Sequence, residues 1–126
     1  MIYSRHFTPA EATKTLPLVR RIVEDILAVA REMRGLLKEP AQDAQGTLDA
    51  QRAQIHDFMQ ELADLGCEFK DWSFDVGLVD FPAIIDGEEV FLCWKSDEPA
   101  LRYYHPINGG FQSRKPIPAD MFTEPS

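Results

Sequence analysis

The stretch Gly77–Trp94 reads GLVDFPAIIDGEEVFLCW. Two runs rich in β-branched and aromatic residues flank Asp86-Gly87, a dipeptide that favours a two-residue hairpin turn. Counting outward from this turn places Asp80 directly opposite Cys93. We therefore predict an antiparallel β-hairpin in this register.

The register divides the hairpin into two faces, because successive side chains of a strand point to opposite sides. One face is apolar and suits a core: Val79, Phe81, Ala83, Val90, Leu92 and Trp94. The other face is mixed: Asp80, Pro82, Ile84, Glu89, Phe91 and Cys93. A slip by one residue would bring Asp80 opposite Trp94 and break up the apolar set, so the two-residue turn is favoured.

At 126 residues the chain is long enough for one domain with a buried core. Its net charge of −8 argues against nucleic acid as the main partner, because phosphate binding requires a basic surface. The chain shows no secretion leader and no apolar run long enough to span a membrane. Its two cysteines, Cys67 and Cys93, are too few for a disulfide scaffold. We expect a cytoplasmic, reduced protein that binds neither nucleic acid nor membranes.

Helices are predicted before the hairpin. The segment Thr8–Glu11 forms a capping box and predicts a short helix over residues 9–15, and Pro17 is expected to separate it from a long helix. Apolar residues then recur with the heptad spacing of a coiled coil: Leu16, Val19, Val23, Ile26, Ala30, Met33 and Leu37. The next helix is clearest over Thr47–Leu65, and its start can lie near Pro40 or near Thr47.

Helices first and strands second predict an α+β fold, in which a long antiparallel helical hairpin packs on a small antiparallel sheet of three to four strands. We expect a single domain over residues 1–126, with a helical part at 9–65, a β-rich part at 66–117 and a frayed tail at 118–126. The other strand-like segments are Met1–Phe7, Cys67–Asp71, Leu101–His105 and Phe111–Ile117.

Short motifs are spread over nearly the whole chain: Phe7-Thr8, Glu11-Ala12, Leu16-Pro17-Leu18, Gly66-Cys67, Lys70-Asp71, Gly77–Ala83, Gly87, Leu92-Cys93-Trp94, Glu98-Pro99, His105, Gly110-Phe111, Arg114 and Pro116. Together they resemble a bacterial family catalogued as domain of unknown function 2203. The sequence departs from that pattern at Asp97, where relatives have glycine, and at Tyr104-His105-Pro106, where many have Trp-His-Glu. The resemblance implies a complete small protein, and it implies no particular activity, cofactor or partner.

The second half contains five candidate binding residues: Asp80, Cys93, Glu98, His105 and Arg114. The carboxylate of Asp80 can orient a histidine, bind a cation or act as a base, or it can brace the preceding loop. Cys93 is either a site thiol or a small buried apolar residue, and His105 is either an acid/base or a structural residue. Glu98 belongs to the resembled pattern. Arg114 follows a glycine-rich turn, where it can hold a small anionic ligand or lie as a solvated charge.

No metal site is predicted, because Cys67, Cys93 and His105 lack the tight pairing that is typical of zinc ligands. The sequence also identifies no cofactor and no catalytic triad or dinucleotide motif. Ile84 and Phe91 lie on the mixed face of the hairpin. They are either exposed as a partner surface or covered by the last extended segment.

Three functions remain open. The first is a small cytoplasmic binding or regulatory module, expected to be a homodimer, whose polar sheet face takes a protein partner or a small anionic ligand. The second is an enzyme of unknown reaction with one cleft that contains Asp80, Cys93, His105 and Arg114. The third is an assembly protein that acts through its helical hairpin, with an interface at Val23 and Ile26. The lack of a recognised catalytic motif favours the first.

Overall fold

The computed structural model describes residues 2–38, 44–71 and 73–123. Two long helices come first, α1 (Pro9–Lys38) and α2 (Ala44–Leu65). The amide of Gln51 in α2 donates a hydrogen bond to the carboxylate of Glu32 near the end of α1 (3.1 Å). Because the helices are also close in sequence, this contact requires that they run antiparallel, which confirms the helical hairpin.

Within the described residues, the second half forms one antiparallel sheet whose strands lie side by side in chain order. Its strands are β1 (Glu68–Phe69), β2 (Leu78–Ile85), β3 (Glu88–Lys95), β4 (Tyr103–Pro106) and β5 (Lys115–Pro116). The α+β fold is therefore confirmed. The sheet has five strands rather than three to four, because two-residue strands pair at each edge.

The central hairpin has the predicted register. Strands β2 and β3 pair with Asp80 opposite Cys93, and Ile85 opposite Glu88 closes the turn. Asp86 and Gly87 both have positive φ angles, of 53° and 80°. Two consecutive residues with positive φ are what a type I′ turn requires, and the twist of this turn matches that of the flanking strands.

The core lies between the helices and one face of the sheet. The sheet contributes all six residues of the predicted apolar face: Val79, Phe81, Ala83, Val90, Leu92 and Trp94. Helix α1 contributes a buried stripe: Ala12, Leu16, Val19, Ile22, Val23, Ile26 and Ala30. Val23 and Ile26 are fully buried within one chain. The protein–protein interface expected at these two positions is therefore excluded.

Helix α1 continues through Pro17, so the predicted break is wrong. Proline removes one ladder hydrogen bond and crowds the carbonyl of Thr13, at a typical cost of about 3 kcal/mol. Ala12, Leu16 and Val19 lie on both sides of the proline and are all buried. A break would expose part of this stripe, and packing of the continuous stripe offsets the cost of the proline.

The ends of the chain also differ from expectation. Residues 2–7 do not form an edge strand, although the amide of Phe7 donates to the carbonyl of Pro82 (2.7 Å). The segment predicted as a frayed tail contains a 3₁₀ turn, Ala119–Phe122, and its apolar side chains pack against the core. Helix α2 begins at Ala44, and Pro40 lies outside the described residues. Among the described residues, neither helix has the run of apolar residues needed to cross a bilayer.

Candidate functional site

Three of the five candidate residues meet on the face of the sheet that points away from the core. Asp80, Cys93 and His105 lie on the adjacent strands β2, β3 and β4. The register pairs Asp80 with Cys93 and pairs Phe91, two residues earlier on β3, with His105. The histidine is therefore on the same face as the other two. One carboxylate oxygen, the thiol sulfur and one imidazole nitrogen all lie within 4.8 Å of one another.

His105 is held from both sides of its ring. Its Nδ1 lies 2.8 Å from the carbonyl oxygen of Pro106, and its Nε2 lies 3.3 Å from each carboxylate oxygen of Asp80. Both residues are only 4% exposed. The contact with the carboxylate raises the pKa of His105, against the opposing effect of burial. Asp80 therefore favours a positive charge, whether proton or cation, at Nε2.

Cys93 is a buried thiol with 3% exposure. Burial, followed by the negative charge of Asp80, raises its pKa to about 12. A thiol must lose its proton to act as a nucleophile, so Cys93 is unreactive when no cation replaces that proton. This arrangement is unlike an activated cysteine–histidine pair, in which the thiol pKa is lowered.

A cavity of about 230 Å³ borders these three side chains. Its wall is completed by Leu78 and Phe91 on the sheet, by Lys70 directly after β1, and by residues of the connection after β4, namely Ile107, Gly109, Gly110 and Phe111. The ammonium group of Lys70 lies 4.8 Å from the centre of the Phe91 ring and pairs with Glu68 (2.7 Å). The site is therefore a small pocket in which three buried polar side chains lie among apolar neighbours. Among the described residues, the one cation that lines it, Lys70, is already paired.

Glu98 and Arg114 form a second group beside the first. The Nη1 of Arg114 donates to both carboxylate oxygens of Glu98 (2.9 and 3.0 Å), and its guanidinium lies over the rings of Phe111 (3.9 Å) and Tyr103 (4.4 Å). Glu98 also accepts the backbone amide of Lys95 (2.8 Å). Both residues thus already have partners in a neighbouring cavity of about 350 Å³.

The five candidate residues are therefore divided between two cavities, and the ring of Phe111 lines both. The cleft proposed for an enzyme was to hold Arg114 together with the other three residues. Asp80, Cys93 and His105 line one cavity, whereas Arg114 lines the neighbouring cavity, so the four residues do not share one cleft. An anion would have to compete with Glu98 for the guanidinium of Arg114.

The cover over Phe91 comes from the N-terminal segment, which the sequence predicted as an edge strand and not as a cover. Phe91 is buried beneath Tyr3, whose ring centre lies 5.3 Å away, rather than beneath the segment Phe111–Ile117. The carboxylate of Glu89 holds this N-terminal segment, because it accepts the backbone amide of Tyr3 (3.0 Å) and contacts the ring of His6 (2.7 Å). Hydrogen-bond donors around a single glutamate are a non-local feature that no sequence motif announces. Ile84 stays 40% exposed.

Comparison with known proteins gives a family and no function. Neither a curated protein nor a solved structure matches the chain. Residues 5–117 match the profile of one family, which is described as uncharacterized conserved protein (DUF2203). The matched range includes both helices, the whole sheet and both cavities. The chain therefore belongs to the DUF2203 family, as its motifs indicate.

Proposed function

We propose that this protein is a small cytoplasmic binding module whose ligand site is the cavity on the polar face of the sheet. The observation that carries the proposal is the convergence of Asp80, Cys93 and His105 at that cavity. Burying a carboxylate and an imidazole costs free energy, and a nonpolar pair would serve the sheet better if stability were the only requirement. Buried ionisable groups beside a cavity are typical of functional sites.

The size and chemistry of the cavity restrict the ligand. A volume of about 230 Å³ is below the roughly 300–1,000 Å³ of pockets for drug-sized molecules. The carboxylate, imidazole and thiol offer acceptors and lone pairs, whereas the rim cation Lys70 is paired with Glu68. These properties favour a cation or a small hydrogen-bond donor over the anion expected from the sequence.

Binding is favoured over catalysis because the site lacks an activated nucleophile. The thiol of Cys93 has its pKa raised to about 12, and the imidazole of His105 faces a carboxylate instead of that thiol. Cys67 and Cys93 are both free and buried. Unpaired thiols support the proposed cytoplasmic location, because that compartment keeps cysteines reduced.

The test uses ¹⁵N-labelled full-length protein and five separate probes: methylammonium, imidazole, acetate, phosphate and zinc chloride. We expect at least one probe to shift the backbone amides of Cys93, His105 and Phe111 in a saturable manner. Asp80→Asn should abolish the shift, while Asp97→Asn, which removes an exposed carboxylate beside the other cavity, should leave it intact. Absence of saturable shifts with all five probes, or unchanged binding by Asp80→Asn, would overturn the proposal.

We also propose that the module is a homodimer that associates through the part of its helical hairpin formed by the C-terminal portion of α1 and the adjacent portion of α2. The specific observation is an apolar groove of about 640 Å³ between α1 and α2. Its apolar lining consists of Ala30, Met33, Leu37, Ile55, Met59 and Phe74. Leu37 is 63% exposed there. The groove continues the heptad stripes of both helices, so a second copy can extend the packing that already joins them.

Light scattering coupled to size-exclusion chromatography tests the dimer. Leu37→Lys should yield a monomer, because it places a charge in the groove. Leu18→Lys is the matched control, since Leu18 is also exposed on α1 but lies outside the groove. A wild-type protein that runs as a clean monomer at micromolar concentration would contradict this proposal.

A further inference from the structure

We propose that the cavity binds a divalent transition-metal ion, with Zn²⁺ the best fit, through the side chains of Asp80, Cys93 and His105. The inference rests on the proposed binding function and specifies its ligand. It reverses the expectation from the sequence that the chain has no metal site. Each ligand comes from a different strand, so the sheet register, rather than sequence spacing, brings the three together.

The first support is a distance. In a hydrogen-bonded ion pair between an imidazolium and a carboxylate, the N···O distance is typically about 2.7–2.9 Å. His105 Nε2 instead lies 3.3 Å from both oxygens of Asp80. With Zn–N and Zn–O bonds of about 2.0–2.2 Å, the N···O edge of a zinc tetrahedron is about 3.3–3.5 Å. The observed separation thus fits two ligands of one ion better than a direct pair.

The second support is the orientation of the histidine. The carbonyl oxygen of Pro106 can only accept a hydrogen bond, so the Nδ1 of His105 carries a proton. In the neutral ring, Nε2 then directs a lone pair at the carboxylate of Asp80. A cation between the two groups turns this repulsion into coordination. Metal-bound histidines commonly donate their other ring N–H to a backbone carbonyl in this manner, which fixes the ring for the metal.

The third support is the set of donor atoms. The sulfur of Cys93 lies within 4.8 Å of the other two ligand atoms, and a zinc tetrahedron needs about 3.5–3.6 Å for its S···N and S···O edges. The required closure is therefore at most about 1.3 Å. One thiolate, one imidazole and one carboxylate suit a borderline ion such as Zn²⁺ more than Mg²⁺ or Ca²⁺, which prefer oxygen ligands only.

Charge balance is also favourable. On binding, the thiol of Cys93 loses its proton to solvent as the sulfur–metal bond forms, and no electron is transferred. The thiolate and the carboxylate of Asp80 together neutralise the charge of the ion. Lys70 is the cation at the rim, and its charge is compensated by Glu68. Three protein ligands leave the fourth position open to the cavity, where water or a small ligand completes the coordination.

The experiment starts from chelator-treated full-length protein, to which Co²⁺ and then Zn²⁺ are added. We expect binding of one equivalent of Co²⁺, a thiolate-to-cobalt charge-transfer band, and loss of that band when Zn²⁺ displaces the cobalt. Cys93→Ser should abolish the band and weaken Zn²⁺ binding at least about tenfold. Cys67→Ser is the matched control, because Cys67 is an equally buried thiol outside the cluster, and it should keep both.

A measurement on the wild-type protein keeps the test valid if a variant fails to fold. The ¹⁵N shift of His105 Nε2 should move on addition of Zn²⁺ to the range of a metal-bound nitrogen, while Nδ1 stays protonated. If the ¹⁵N shifts of His105 are those of an imidazolium and do not change on addition of Co²⁺ or Zn²⁺, His105 and Asp80 form a simple ion pair, and the inference is overturned. A cobalt band that persists in Cys93→Ser would also overturn it. If methylammonium or imidazole shifts the cavity amides while both metals fail, the metal inference falls and the binding module stands.

Discussion

Replacing Gly77 with alanine should destabilise the protein by about 1–3 kcal/mol, because the new Cβ has no room. It would lie closer than 3.0 Å to Cγ1 of Val23 and 3.0 Å from Cβ of Ser96, whereas ordinary contacts begin at 3.4 Å. Ser96 cannot move away freely, since its hydroxyl and its backbone amide both bond to the backbone of Gly77 (3.0 and 2.8 Å). Val23 is fully buried, and a β-branched side chain in a helix has essentially one rotamer.

A double-mutant cycle isolates this steric cause. Val23→Ala alone should cost roughly 2 kcal/mol, because it removes two buried methyl groups and leaves a cavity. It also vacates the space that the alanine at position 77 needs, so Gly77→Ala should cost little in the Val23→Ala background. The expected coupling is about 1–3 kcal/mol, measured from urea unfolding followed by circular dichroism. Equal costs of Gly77→Ala in both backgrounds, within about 0.5 kcal/mol, would refute the steric argument.

Gly35→Ala is the control for the general effect of replacing glycine. Gly35 lies in helix α1, and apart from its chain neighbours and the nearby helix backbone, no atom lies within 4 Å of the position that its Cβ would occupy. This substitution should stabilise the protein by about 0.5–1 kcal/mol through helix propensity alone. Replacing glycine with alanine is therefore expected to stabilise the protein at position 35 and to destabilise it at position 77, where the new Cβ would meet Val23.

Three further perturbations test the surroundings of the site. Glu89→Gln should speed hydrogen exchange in residues 2–7, with Glu88→Gln as the control. Hydrogen bonds from the N-terminal segment to the carboxylate outweigh the effect of burial and lower the pKa of Glu89 to about 2. The anchoring of this segment is therefore complete above pH 4.5 and is lost as the pH falls towards 2. Arg114→Lys should lower the free energy of unfolding in urea by about 1 kcal/mol, because the ammonium group of lysine cannot stack on Phe111 and Tyr103 as the planar guanidinium does. Burial raises the pKa values of the Cys67 and Cys93 thiols to about 12. Both cysteines should therefore react with a thiol reagent at pH 8 far more slowly in the native protein than in urea. Rapid labelling of Cys93 in the native protein would support the enzyme hypothesis instead.

The central hairpin could be predicted because all the information is local. Asp86 and Gly87 specify the turn, and the alternation of side chains then leaves one register that keeps the apolar face together. The continuation of α1 through Pro17 could not be predicted in the same way. It depends on the burial of Ala12 and Leu16 against distant parts of the chain, which overrides a local rule.

The candidate site was only half predictable for a related reason. The hairpin register already places Asp80 opposite Cys93, but a seven-residue connection separates β3 from β4 and does not fix their offset. The offset of β4 decides whether His105 lies on the same face of the sheet as Asp80 and Cys93 or, after a slip of one residue, on the opposite face. Sequence spacing therefore argued against a metal, although the folded sheet brings three ligand types together.

The two faces of the hairpin separate stability from binding. The apolar face faces the helices, while Asp80 and Cys93 alternate with it along the same strands. Substitutions at Phe81 or Leu92 should therefore lower stability and reduce metal binding only through unfolding. Conservative changes at Asp80 or Cys93 should reduce binding in a protein that keeps its fold, because their neighbours in the strand still hold the register. If Asp80→Asn unfolds the protein as readily as Phe81→Ala does, the buried polar face serves the fold rather than binding.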